Sequence, residues 1–153
     1  MKLPMNIDQR LQELGIVLPE PVRPVAAYVR YVQAGNLLFI SGTGPGPEIP
    51  TGKLGADMSL EDGYTAARST GLSILATAKD ALGDLNRIKR LVKLLGMVNA
   101  TPDYTDHPLV INGCSELFVE VFGESGYGTR AAVGFVSLPG GIPVEIECTF
   151  EVE

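Results

Sequence analysis

Gly128-Thr129-Arg130-Ala131-Ala132-Val133-Gly134-Phe135-Val136, a turn-like Leu138-Pro139-Gly140-Gly141-Ile142, and then Pro143-Val144-Glu145-Ile146-Glu147-Cys148-Thr149-Phe150-Glu151 stand towards the C-terminal end of the chain. Alternation in both flanks predicts two strands, and the Pro/Gly run between them predicts the turn of a β-hairpin. Val133 and Phe135 share one face of the first strand. Val144, Ile146, Cys148 and Phe150 share one face of the second. The opposite face is then expected to carry Arg130 and Ala132 together with Glu145, Glu147, Thr149 and Glu151. An arginine and several carboxylates on one sheet face are either a solvated surface or a site.

Working outward, Tyr28 to Ala34 and Leu37 to Ser41 read as a hairpin turned at Gly35-Asn36. The apolar run of the second strand predicts burial on both faces. The glycine-dense loop Gly42 to Pro47 lacks the Lys-Ser/Thr ending of a phosphate loop. It reads as backbone that comes close to a ligand or a neighbouring chain. Ser59 is a suitable N-cap, Glu61 and Asp62 suit a first turn, and Gly83 suits a C-cap. With the stripe Tyr64, Ala67, Gly71, Ile74, Leu75, Ala78 and Leu82 they predict a helix over residues 60–82. A strand follows over residues 90–99. A second helix is predicted over residues 108–122, with Val110, Ile111, Cys114, Leu117, Val121 and Phe122 on its buried side. Residues 1–24 read as an arm with a short helix near Ile7 to Leu14, held extended by Pro19, Pro21 and Pro24. Residues 25–153 read as one α+β domain: a mixed sheet in two layers, with two helices on one face. The other face must meet solvent or another subunit.

A chain of 153 residues with a formal charge of −6 has room for one real core and is a poor match for a polyanionic backbone, so nucleic acid is not an expected partner. No apolar run is long enough to span a bilayer, and Met1 to Arg10 lacks the layout of a signal peptide, which predicts a cytoplasmic protein. Two cysteines, Cys114 and Cys148, read as inert core, and one histidine, His107, makes a zinc site unexpected. Asp103, Asp106 and His107 read as turn and cap chemistry rather than as a metal site. No cofactor is expected.

The Arg130 segment, with Val144-Glu145-Ile146-Glu147 after it, resembles the reactive intermediate/imine deaminase (RidA-like) family, often labelled "endoribonuclease L-PSP". Tyr28-Val29, Gly35-Asn36, Ile40-Ser41-Gly42, Gly52-Lys53, Gly83-Asp84-Leu85 and Asn112 fall in the family's order, so the likeness covers about residues 26–151. It implies a chorismate-mutase-like fold and a homotrimer with clefts between subunits. In such a cleft an arginine binds the carboxylate of a 2-imino acid, and water hydrolyses the imine to a keto acid and ammonia. The resemblance places the arginine at Arg130, the lining tyrosine at Tyr28, the close-approach glycine at Gly42 and the site glutamate at Glu145. Ala132 stands where active members carry a cysteine, and Gly128 where they carry a proline. Both departures, with the arm, mark a divergent branch.

The residues alone agree in part. A guanidinium suits a carboxylate by paired charge-assisted hydrogen bonds, and a carboxylate can take and return the proton of an attacking water. Glu145 and Glu147 are equal candidates by side-chain type; only the resemblance favours Glu145. A hairpin turned near Gly140 would leave Arg130 some five residues from Glu145, roughly 17 Å, so if the two serve one small substrate, either they come from different chains or the hairpin register is wrong. The competing readings are a catalytically silent metabolite-binding trimer, an Arg130 ion pair with one of the glutamates, and an endoribonuclease.

Overall fold

The computed structural model of the chain describes residues 6–153. The first five residues of the arm lie outside the described residues. The helices are α1 (Ile7–Glu13), α2 (Leu60–Leu82) and α3 (His107–Phe122). The strands are β1 (Tyr31–Ala34), β2 (Leu37–Thr43), β3 (Ile88–Asn99), β4 (Thr129–Phe135) and β5 (Val144–Val152). The strands form one sheet in the order β1-β2-β5-β3-β4. All neighbours are antiparallel except β3 and β4, which are parallel. With α2 and α3 packed together on one face, this is the mixed two-layer α+β arrangement that the periodicities imply.

The helices start and stop where their caps dictate. Ser59 and Asp62 form a reciprocal capping box, and Gly83 ends α2 at φ 75°, a left-handed conformation that costs glycine little. Ile74, Leu75 and Ala78 of α2, Ile111, Leu117 and Phe118 of α3, and Leu94, Val98, Ile146 and Phe150 of the sheet are fully buried. Phe118, Phe122 and Phe150 meet at ring separations of 5.7–6.3 Å in tilted and edge-on geometry. Gly96 leaves room on β3 for Ile111, whose Cγ1 would lie 2.6 Å from a Cβ there. Gly113 brings α3 so close to α2 that a Cβ would collide with the Tyr64 carbonyl, which is backbone and cannot swing away. Gly113→Ala is therefore expected to cost about 3 kcal/mol or more, measured as a shift in the urea midpoint; an unchanged midpoint would contradict this account of the helix pair.

Helix α1 packs against the rest of the chain. Asn6 caps α1, Ile7 and Leu11 enter the core, the Ile7 N–H donates to Asn86 Oδ1 at 2.8 Å, and Arg10 Nε donates to the Glu120 carbonyl at 2.8 Å.

Four expectations need correction. β4 and β5 are not a hairpin: β5 inserts between β2 and β3, and β4 lies beyond β3 as the sheet edge. A Pro/Gly turn joins them in sequence, but the long apolar face of β5 is better buried at the sheet centre, under both helices. The faces of β4 are consequently reversed. Register pairs Arg130 with Leu94, Ala132 with Gly96 and Val133 with Met97, so Arg130 and Ala132 stand on the helix side and Val133 and Phe135 on the open side. Arg130 and Glu145 therefore do not share a face, because Glu145 pairs with Met97 on the open side. Finally, β2 is not buried on both faces: Phe39 is 44% exposed, beside Val32 on the open side. The hairpin strand also begins at Tyr31 rather than Tyr28.

Candidate functional site

Arg130 leaves the edge strand towards α3. Its Nη1 donates to Asn112 Oδ1 at 2.7 Å and to Ser115 Oγ at 3.2 Å. Asn112 and Ser115 are three residues apart on α3, hence on one helical face, and that spacing lets them grip a single nitrogen. Both bonds use Nη1, and among the described residues no acceptor meets Nη2 or Nε. The guanidinium opens into a groove of about 600 Å³ between α3 and β4, which Glu116, Val119 and Tyr127 also line. The acidic side of that groove is already engaged. Tyr64 donates a short hydrogen bond to Glu116, which pushes the phenol's ionisation up, and Glu120 pairs with Arg68 at 3.3 Å. Among the described residues Arg130 is thus a cation without a carboxylate partner, presented on a preformed support. Ala132, two residues along on the same side, is half-buried and packs against the core.

Tyr28, Gly42 and Glu145 come together elsewhere. The register of β2 against β5 slips between Ile40 and Thr43, a bulge that displaces Ser41 and Gly42 and lets the Glu145 carboxylate lie over Gly42. Glu145 Oε2 is 2.8 Å from where a Cβ on Gly42 would be, so a larger residue there would displace the carboxylate. Tyr28 joins through Arg30, whose Nη1 donates to the Tyr28 hydroxyl at 3.3 Å and to the Gly42 carbonyl at 3.1 Å. Glu147, two residues along on the same open face, has Lys93, Leu95, Phe39 and Ser41 around it, whereas the carboxylate over Gly42 is that of Glu145. The glycine-dense loop after Gly42 is tied to α2: Gly46 N–H donates to Ser69 Oγ at 2.9 Å, and that hydroxyl donates to Glu48.

The candidate residues therefore form two clusters, Arg130 with Ala132 and Tyr28 with Gly42 and Glu145. Three residues along and two strands across separate the Arg130 and Glu145 Cα atoms by roughly 14 Å, and their side chains leave opposite faces of the sheet. One protomer does not bring both to one small molecule. Sequence reasoning missed Ser115 and Arg30. The signal for Ser115 was its spacing from Asn112; the signal for Arg30 was a charge inside an otherwise apolar strand-like run.

Other features carry less. Cys114 and Cys148 are buried, and burial pushes both thiols up, away from the reactive thiolate. His107 opens α3 with its ring over Gly134 and edge-on to Tyr104. Among the described residues no three His, Cys, Asp or Glu side chains gather to hold a metal ion, and no helix is long and apolar enough to cross a membrane. Lys89, Arg90 and Lys93 are exposed along β3, while Arg87 is tied to the carbonyls of Leu82 and Glu153.

Comparison with known proteins adds to this geometry. A family model described as "YjgF/chorismate mutase-like, putative endoribonuclease" matches residues 8–141. Protein TCP17 of Trypanosoma cruzi is 42% identical over 151 residues, 96% of this chain and 94% of that protein. The crystal structure of Atu1372 from Agrobacterium tumefaciens, a protein of unknown function, is 42% identical and superposes with a TM-score of 0.89, covering 96% of this chain and 92% of that one. The crystal structure of RidA from an Antarctic Psychrobacter is 30% identical with a TM-score of 0.59, covering 87% of this chain and 94% of that one.

Proposed function

This chain belongs to the YjgF/chorismate mutase-like family, whose solved members include RidA, and from that premise we propose that it hydrolyses reactive 2-imino acids in clefts between the subunits of a homotrimer. The observation that carries the reading is Arg130: a guanidinium propped by Asn112 and Ser115, facing a groove, with the rest of its fork meeting no acceptor among the described residues. A guanidinium edge binds a carboxylate by two parallel hydrogen bonds and fixes its orientation. Water adds to the imine carbon, the carbinolamine expels ammonia, and R–C(=NH)–COO⁻ with H₂O becomes R–C(=O)–COO⁻ with NH₃. Glu145, delivered by the neighbouring chain beside Gly42 and Tyr28, takes the proton of the attacking water and returns it to the departing nitrogen.

The open sheet face supports the assembly. Val32, Phe39, Val133 and Phe135 are 41–52% exposed there in the single protomer, more apolar surface than a solvated face ordinarily shows. The test is to generate 2-iminobutanoate with a dehydratase and follow its decay. Wild type should accelerate the decay; a rate equal to the spontaneous one would overturn the reading.

Ala132 favours a second reading, a silent metabolite-binding protein, in which 2-oxobutanoate binds but imine decay is unchanged. Water rather than a thiol is the attacking group in the scheme above, so Ala132 does not remove a required reactant. The ribonuclease wording of the family description finds little support in a chain of charge −6.

A further inference from the structure

We propose that Arg30 is a specificity-determining positioning residue, which holds the Tyr28 hydroxyl as a hydrogen-bond donor and so selects ligands bearing an acceptor at C2. The inference rests on the reading that Tyr28, Gly42 and Glu145 form one half of the cleft.

Arg30 is only 8% exposed. Its Nη1 bonds the Tyr28 hydroxyl and the Gly42 carbonyl, its Nη2 donates to Thr43 Oγ1 at 2.8 Å, and its guanidinium carbon lies 5.9 Å from the Tyr28 ring centre. Thr43 in turn donates to the Ser41 carbonyl at 2.8 Å, which locks the bulge. Yet Nε is buried without an acceptor, and among the described residues no carboxylate pairs with this cation. Burying a charge with no counter-ion and leaving one of its N–H groups unmet both cost stability. Contact with two candidate site residues gives such a group a use that fold stability does not.

A guanidinium has donors only. Toward Arg30, therefore, the Tyr28 oxygen must accept, and its own hydrogen is left for another acceptor. Tyr28 is 43% exposed, so a ligand can reach the residue. The Gly42 carbonyl likewise accepts from Arg30, which occupies one of its two lone pairs. This half of the cleft thus offers a donor at Tyr28. An imine nitrogen or a keto oxygen at C2 accepts from it. The ammonium of the parent amino acid does not, and it would meet a donor. Substrate and product are retained over the amino acid from which they come.

The experiment compares binding of 2-oxobutanoate and 2-aminobutanoate by calorimetry in wild type, Arg30→Gln, Tyr28→Phe and the double variant. Wild type should prefer the keto acid by about tenfold or more, each single variant should lose most of that preference, and the double variant should lose no more than either. A general loss of fold would weaken both ligands together and leave their ratio unmoved. Should Arg30→Gln not fold, Arg30→Lys keeps the charge without the fork and should also lose the preference. An unchanged ratio in the arginine variants, additive losses, or no binding of either ligand to wild type would overturn the inference. Keto-acid binding needs no turnover, so a protein that binds selectively but does not hydrolyse imines would refute the hydrolytic reading and leave this one standing.

Discussion

Arg130→Ala is expected to lower kcat/KM for 2-iminobutanoate by at least about a hundredfold while leaving the melting temperature almost unchanged. Removing one partner of a desolvated, charge-assisted pair costs about 2–5 kcal/mol, and each 1.4 kcal/mol is about tenfold. The fold should hardly notice, because Arg130 is exposed on an edge strand and its bonds to Asn112 and Ser115 are surface bonds. The carboxylate remains bound throughout imine hydrolysis, so most of the loss should appear in KM rather than kcat. Arg130→Lys should rescue little, since an ammonium keeps the charge without the planar fork. Steady-state kinetics on enzymatically generated imine decide it: a loss smaller than threefold would remove Arg130 from the substrate site.

The layers of this fold are legible in its sequence because helical periodicity and caps are local. Ser59, Asp62 and Gly83 delimit α2 with no help from the rest of the chain, and Pro108 with the apolar stripe from Val110 to Phe122 does nearly the same for α3. Strand partners are not local. Nothing in Leu138 to Ile142 tells a hairpin turn from a crossing that carries β5 past β3, and the wrong choice also decided which way Arg130 faces. Val133 and Phe135 compounded the error, since alternating apolar residues read as core in sequence, yet the chain leaves both exposed. The candidate residues came from resemblance more than from pattern. The geometry adds what neither supplied: Asn112 and Ser115 beneath Arg130, Arg30 behind Tyr28, and Glu145 rather than Glu147 beside Gly42.

Arg130→Ala and Glu145→Gln chains, each severely impaired alone at imine concentrations well below KM, are expected to recover about a quarter of wild-type activity there when unfolded and refolded together in equal amounts. The two residues lie three positions and two strands apart and leave opposite faces of the sheet, so a cleft that uses both must draw them from adjacent chains. In a cyclic assembly a given cleft receives an intact arginine from one neighbour half of the time and an intact glutamate from the other half of the time, which gives about one working cleft in four. The fraction does not depend on the number of subunits in the ring. Were both residues drawn from one chain, no mixture of the two variants would contain a working cleft. A second mixture guards against poor refolding. Wild type refolded with an equal amount of the Arg130→Ala, Glu145→Gln double variant should also fall to about a quarter of wild-type activity if clefts are shared, but only to about a half if each chain owns its site. Recovery in the first mixture together with a quarter in the second would place the arginine and the glutamate on different chains; no recovery and a half would place them on one.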